Sequence, residues 1–291
     1  MSQFYLTALQ LALCLGPMAL GIFISMKVFN IPDITTDGSY TLGAVVTATG
    51  LIQHWPAWVI LPACMCAGAL AGVCTGVIHT KLKIDALLAG ILVMTGLYSV
   101  NLIFLGRSNV PLINQLGIFT SVTIFQNVLF NQVVIAICIT VLLMMILNYV
   151  LKTDFGIAMR ATGNNPVMTK SMGINNDMIK ILGLAIANAL TGLSGYLVAQ
   201  YQNFTDINMG IGIVITGLGS VLIADALKTW MHLTSIGWQI VLVIVGSILF
   251  QMVLAGTLAM GIDPNWLKLV TALFVLMIVA LPRLTSALQK S

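Results

Sequence analysis

Charged side chains are scarce in this sequence, and glutamate is missing altogether. Of the 291 residues only 7% are charged, all 8 acids are Asp, and 59% of the residues are hydrophobic. A soluble domain carries roughly a quarter charged residues to cover its surface. A globule with so few charges cannot be solvated on all sides, so the outside of this protein is expected to face lipid.

The composition and the missing motifs also argue against several functions, although an intramembrane enzyme is not excluded by them. The 12 Lys and Arg residues give a net charge of +4, but they are scattered singly between apolar runs, so no nucleic-acid partner is expected. The sequence has neither a G-x-x-x-x-G-K-[ST] loop for ATP nor the G-x-S-x-G elbow of a hydrolase. Transport driven by a proton gradient needs ionisable groups inside the membrane, and the apolar runs contain almost none. A passive pore remains, or a transporter whose energy is supplied by another subunit.

Cysteine and histidine give no sign of metal or redox chemistry, and no cofactor is expected. The five cysteines lie in apolar stretches without CxxC spacing, so they are predicted to be small buried hydrophobic residues. The three histidines stand alone near predicted helix ends and are predicted to be solvated. These residues are Cys14, Cys64, Cys66, Cys74, Cys138, His54, His79 and His232.

Apolar runs recur along the whole chain, and a membrane-spanning helix needs about 20 such residues. The runs are 6–26, 39–53, 57–79, 86–105, 131–151, 180–202, 210–227, 236–258 and 265–282. No basic residues precede the first run, which is therefore predicted to be a retained helix and not a signal peptide. The run 39–53 follows a polar stretch and is too short for a straight span, so a half-helix or broken helix is expected there. The stretch 106–130 is predicted to be an external loop with a helix on the membrane surface.

These runs predict an all-α integral membrane protein: one transmembrane domain, 1–291, with about 8–9 transmembrane helices. Threading the runs alternately through a membrane places ten basic residues on one side and two on the other. An excess of Lys and Arg marks the cytoplasmic side, so the N-terminus is predicted outside and the C-terminus inside. The cytoplasmic set is Lys27, Lys81, Lys83, Lys152, Arg160, Lys170, Lys180, Lys228, Arg283 and Lys290, and the external set is Arg107 and Lys268.

Short motifs recur about 120 residues apart. The sequence Ala69–Gly72 is matched by Ala189–Gly192, and Thr95–Val100 is matched by Thr216–Val221. In the predicted topology the two copies enter the membrane from opposite sides, which is the pattern of an inverted repeat. Chance similarity remains the alternative, since Gly, Ala and Leu are abundant here.

The cytoplasmic loop 152–180 carries the clearest local signals. Asn165 is a good N-cap, Pro166 suits the first helical position, and Gly173 suits the position after a helix. A two-turn helix is therefore predicted over 166–172. A helix this short needs a surface to dock against. Its role is either that of a lever pushed by a partner or that of an ordinary structured loop.

The loop sequence FGIAMRATGNNPVMTKSMGI (Phe155–Ile174), followed by ALTGLSGYL (Ala189–Leu197), resembles the permease subunits of bacterial ABC importers. The branch is the one that includes branched-chain amino acid and ribose permeases. FNIPDITTDGSYTLGAVV (Phe29–Val46) is similar to the broken second helix of that branch, and GIGIVITGLGSVLIADAL (Gly210–Leu227) to a later segment. The form Pro-Asp…Asp-Gly-Ser also resembles a smaller group, some of whose members are assigned to tryptophan or tyrosine uptake.

The resemblance implies a permease of the bacterial inner membrane that pairs with a second copy. Two cytoplasmic ATPases would dock below, and an extracytoplasmic binding protein would deliver the solute, an amino acid more readily than a sugar. It further implies that the loop contains the coupling helix. The residues expected to take part in coupling are Gly156, Arg160, Ala161, Gly163, Asn164, Asn165, Pro166, Met168, Lys170, Gly173 and Ile174.

Hydroxyl side chains near helix breaks are candidates for the substrate path, although Ser and Thr also bond to their own helix backbone. They are Thr35, Thr36, Ser39, Thr41, Thr95, Thr216 and Ser220. Two rival functions stay open: a self-contained channel or facilitator, and a membrane-embedded assembly subunit without a path.

Overall fold

The structure is a computed structural model that describes residues 2–288 except 114, 116, 123, 124, 126, 262, 264 and 265. Helices dominate it, in the order α1 (Ser2–Ile22, continued by a π-helical segment, Phe23–Val28), α2 (Thr35–Ile52), α3 (Ala57–Lys81), α4 (Ala86–Leu105), α5 (Ile118–Ser121), α6 (Val128–Lys152), α7 (Asp154–Asn164), α8 (Pro166–Ser171), α9 (Asn176–Gln202), α10 (Ile213–Trp230), α11 (Ile236–Ala259) and α12 (Leu267–Leu288). Two short strands, β1 (Asn109–Pro111) and β2 (Phe204–Asp206), form an antiparallel pair.

The all-α membrane architecture is confirmed. Among the described residues seven helices are long and apolar enough to cross a membrane, namely α1 with its π segment, α3, α4, α6, α9, α10 and α11. The remaining two apolar runs form α2 and α12. The bilayer core contains no water to bond the backbone N–H and C=O groups. An apolar run therefore forms a helix, which satisfies these groups internally.

The centre of the bundle is formed by α1 and α9, whose residues are mostly buried, whereas most of α4 is exposed. Many leucine, isoleucine, phenylalanine and tyrosine side chains of α4 and α6 are exposed on the outside of the bundle. In a membrane such apolar surface faces lipid or another subunit.

The contacts between helix ends show which loops share one end of the bundle. Lys27 pairs with Asp225, Lys81 lies 3.7 Å from Asp177, and Asn30 Nδ2 donates to the Gly163 carbonyl at 3.2 Å. This end contains the basic residues predicted to be cytoplasmic. The Arg283 side chain and Lys290 lie outside the described residues.

The opposite end joins the N-terminus to the loop after α9. Tyr201 Oη donates to the Thr7 carbonyl at 3.3 Å, and Leu112 N donates to the Asn203 carbonyl at 2.8 Å. The pairing of β1 with β2 was not predicted, because three-residue strands leave no periodic signal. In the predicted surface-helix region the structure has the four-residue helix α5.

A helix break separates α2 from the π-helical end of α1, and α2 begins in the middle of the bundle. Ser39 Oγ donates to Oδ1 of Asn188, which is the thirteenth of the 27 residues of α9. The helix therefore begins about halfway along α9, and the chain 29–34 re-enters the bundle to reach it. The helix α2 begins at Thr35, four residues before the predicted apolar run 39–53. The polar stretch before that run forms the first turn of the helix.

The inverted repeat has a clear structural counterpart in α3 and α9, which run antiparallel in close contact. A Cβ added to Gly72 would collide with the Leu184 carbonyl, and one added to Gly192 would meet the Cys64 carbonyl. A shift of 120 residues turns the first contact into the second and maps the contact between Gly68 and Asn188 onto itself. The contacts thus have the two-fold character expected of inverted copies.

The prediction for the cysteines was wrong for three of them. Cys14 and Cys64 are buried, but Cys66, Cys74 and Cys138 are exposed on α3 and α6. A small apolar side chain can face lipid as readily as a protein core, so an apolar run does not distinguish the two. Among the described residues no group of His, Cys, Asp or Glu could hold a metal ion.

Candidate functional site

The helix α8 is a short, capped element at the basic end of the bundle. It spans Pro166–Ser171, one residue less than predicted, and Asn165 Oδ1 accepts a 3.0 Å hydrogen bond from Met168 N. Pro166 occupies the first turn, where its missing N–H costs nothing. Gly173 has φ +83°, which ends the loop sharply before α9.

The preceding helix α7 was not predicted, because Gly156 and Gly163 lower helix propensity over its eleven residues. Thr153 caps α7, and the negative charge of Asp154 in the first turn interacts favourably with the positive end of the helix dipole. A Cβ on Gly163 would collide with the Val28 carbonyl. The end of α7 therefore lies directly against the junction between α1 and the re-entrant chain.

Asn176 ties both short helices to α9, and sequence analysis did not single it out. Its Oδ1 accepts from Thr169 Oγ1 at 2.8 Å and from Thr162 Oγ1 at 3.4 Å, while its Nδ2 donates to the Pro166 carbonyl at 2.6 Å. The Asn175-Asn176 pair before an apolar helix was a signal for capping, which Asn175 provides, but not for this bracing role.

The loop presents an exposed face away from the bundle. Val167 is 79% exposed, Met172 66% and Met168 54%. Six of the residues predicted for coupling share this exposure: Asn164, Asn165, Pro166, Met168, Lys170 and Gly173. The other five are partly or fully buried: Gly156, Arg160, Ala161, Gly163 and Ile174. Apolar side chains on a polar end of a membrane protein are typical of a protein-binding surface.

A second feature is a buried polar cluster where α2 begins. Asp33 is 1% exposed and accepts hydrogen bonds from Thr35 N at 2.9 Å and from Asn188 Nδ2 at 2.7 Å. Thr35 Oγ1 and Thr75 Oγ1 are 2.7 Å apart. The near absence of acidic groups inside the bundle was therefore overstated, since the polar stretch is folded into it. These bonds compensate the burial of the Asp33 carboxyl.

Asp37 is likewise 7% exposed, and it links α2 to α10. Its carboxylate oxygens accept from Gly212 N at 2.8 Å and from Val214 N at 3.0 Å. The α10 N-terminus thus receives its cap from another helix, with a charge that complements the dipole. Sequence analysis missed this role, because the capping residue lies 175 positions away.

The hydroxyls predicted for the substrate path do not share one cavity. Thr35, Thr36, Ser39 and Thr41 are buried at the start of α2 and bonded within the chain. Thr95 is exposed on α4 and bonds to the Ile91 carbonyl. Ser220 is buried and bonds to the Thr216 carbonyl, while Thr216 lines a cleft between α1, α2, α9, α10 and α11.

Comparison with known proteins agrees with this architecture. The family model of the branched-chain amino acid transport system, permease component, matches residues 4–281. The tyrosine transport system permease protein of Clostridioides difficile is 39% identical over 96% of this chain and 92% of its own length. An uncharacterized protein of Rickettsia prowazekii is 34% identical over 91% of this chain and 92% of its own.

A ribose import permease of Haemophilus influenzae is 25% identical over 63% of this chain and 58% of its own length. No solved structure matches the chain significantly. Together with the apolar helices, the relatives place the chain in the bacterial inner membrane as a multi-pass protein. The chain belongs to the branched-chain amino acid transport system permease family, the membrane-spanning subunits of ABC transporters.

Proposed function

We propose that this chain is the membrane path of an ABC importer for an amino acid. Two copies enclose the path, a pair of cytoplasmic ATPases docks against α7 and α8, and an extracytoplasmic binding protein delivers the solute. The chain has no phosphate-binding loop of its own, so ATP hydrolysis belongs to the partner subunits. The relative that transports tyrosine supports an amino acid as the solute.

The exposed α8 carries this proposal. A six-residue helix is not stable alone, and it is braced by Asn176 while Val167 and Met168 stay exposed. This arrangement suits a rigid element that is gripped from outside. The contact between Gly163 and Val28, together with the Asn30 bond, offers a route by which movement of the loop reaches α1 and α2.

Co-expression of the permease with the ATPase of its transporter tests the proposal. Val167→Asp places a charge in the exposed face of α8 that is proposed to contact the ATPase. We therefore expect loss of ATPase co-purification and at least a tenfold fall in ATP-dependent amino acid uptake in proteoliposomes. Leu82→Asp is the matched control, because Leu82 is 64% exposed in the turn between α3 and α4 at the same end. Uptake that persists without any ATPase would establish the facilitator instead.

A further inference from the structure

A cleft of about 390 Å³ opens at the end of the bundle that carries the β-strand pair. Helices α1, α2, α9, α10 and α11 form its walls, and β2 with the following turn forms its rim. Most of the wall is apolar, as Leu11, Leu15, Val198 and Ile213 show. Sites for small molecules have this volume and this character, with a few polar groups that fix the orientation of the ligand.

Two polar side chains of the cleft are largely buried and make no hydrogen bond among the described residues. Tyr40 is 1% exposed and Gln251 is 8% exposed, and both line the cleft. Neither the Tyr40 hydroxyl nor the Gln251 amide makes a hydrogen bond to the described residues, and their polar atoms are not fully enclosed, since the fully enclosed polar atoms without a partner lie on other residues. Polar atoms that have no partner in the protein and are reached from the cleft can bond to a ligand that enters it.

The rim carries a carboxylate and two amides. Asp206 is the one charged residue among those described that line the cleft, and its carboxylate is held by Asn109 Nδ2 at 3.3 Å and by Asn208 N at 2.7 Å. The side chains of Gln202 and Asn208 are exposed beside it. The rim thus offers an anionic acceptor for a cationic group, together with amide donors for a carboxylate.

We propose that this cleft is a binding site within each permease chain for an α-amino acid whose uncharged side chain ends in a hydrogen-bonding group. Asp206 accepts from the ammonium group, Gln202 and Asn208 donate to the carboxylate, and the side chain extends between the apolar walls to Gln251 and Tyr40. The assignment rests on the proposed function and adds to it the location and chemistry of the solute. A sugar would leave the Asp206 carboxylate without a cationic partner.

The test is equilibrium binding of radiolabelled L-tyrosine to the permease–ATPase complex in lipid nanodiscs, without the binding protein. L-phenylalanine and 3-(4-hydroxyphenyl)propanoate serve as competitors, because the first lacks the hydroxyl and the second lacks the ammonium group. Gln251→Leu is expected to weaken L-tyrosine about fivefold to tenfold while L-phenylalanine changes less than about twofold, since one hydrogen bond is lost and the apolar walls remain.

Asp206→Asn is expected to weaken L-tyrosine about tenfold or more and to abolish its advantage over the propanoate, because the charge-assisted bond is lost. Two variants are expected to bind as the wild type. Gln53→Leu changes an exposed amide at the same end outside the cleft, and Asp85→Asn changes the exposed N-cap of α4 at the opposite end.

Three results separate failure of the site from failure of the function. If Gln251→Leu weakens both amino acids equally, or neither, the cleft does not bind the side chain as proposed. If the complex imports L-tyrosine with ATP but Asp206→Asn binds it as the wild type does, the site is overturned and the importer stands. If the complete wild-type transporter imports no amino acid, the proposed function itself fails.

Discussion

Asn188 Nδ2 donates a 2.7 Å hydrogen bond to Asp33 Oδ2, and so joins the middle of α9 to the chain that leads into α2. The same amide accepts from Ser39 at 2.7 Å through its oxygen. Asn188 also lies against Gly68 at the centre of the contact between α3 and α9. One residue therefore joins three helices where the two repeats meet, through its side chain toward α2 and through its backbone carbonyl against α3.

Replacement of Asn188 by Leu should destabilise the permease by about 2 kcal/mol or more, because the buried Asp33 carboxyl loses one of its hydrogen-bond donors. SDS-induced unfolding of the purified chain measures the effect. Asn101→Leu is the control: Asn101 is equally buried but makes one 3.4 Å bond, to the Gly38 carbonyl. Equal losses for the two variants would contradict a special role for Asn188.

Asp37→Ala should expose the first turn of α10. Two backbone N–H groups lose their acceptor, at a cost of about 1–2 kcal/mol that is typical of a lost N-cap. Hydrogen exchange at residues 212–216 should accelerate about tenfold, which that free energy implies. Asp37→Asn keeps one acceptor oxygen and should lie between Ala and wild type. Unchanged exchange in Asp37→Ala would show that the cap contributes nothing.

Gly72→Ala should force α3 and α9 apart. The new Cβ collides with the Leu184 carbonyl, and overpacking of this kind costs about 1–3 kcal/mol. Gly96→Ala in α4 is the matched control, because nothing lies within 4 Å of the added Cβ. That variant should be neutral or more stable by up to about 1 kcal/mol, since Ala favours the helix. Thermal unfolding in one detergent should rank the two variants in opposite directions from wild type.

Asn165→Ala should loosen α8, because the six-residue helix loses the acceptor for Met168 N. An N-cap contributes about 1 kcal/mol, enough to shift a helix this short toward the unfolded state. We expect fewer ATPases to co-purify with the permease, by about fivefold. Asn165→Ser restores a capping oxygen and should restore the ATPase content. A Ser variant as weak as Ala would mean that the amide itself contacts the partner.

Local signals predicted much of the fold. In the described part of the chain each of the nine apolar runs lies largely in a helix, since the bilayer core favours a structure that satisfies its own backbone polar groups. Asn165 and Pro166 placed the start of α8 correctly, because caps act through neighbouring backbone atoms. The offset of the repeats predicted that the two copies enter the membrane from opposite sides, as α3 and α9 do, but it did not predict that these helices touch.

Other features had no local signal. Asp33 and Asp37 stood in a stretch that read as a polar connection, yet both are buried and bonded to groups more than 150 positions away. The hydropathy of an apolar run does not say which of its faces is covered, so Cys64 is buried and Cys66 is exposed on one helix.

The sequence alone therefore determined membrane residence, the helices and the short capped element, because each follows from the composition of consecutive residues. The tertiary structure decided where α2 begins in the bundle, which carboxylate caps α10, and that Tyr40 and Gln251 line the same cleft. Those features depend on the distance between residues far apart in the chain, and that distance is set when the helices pack.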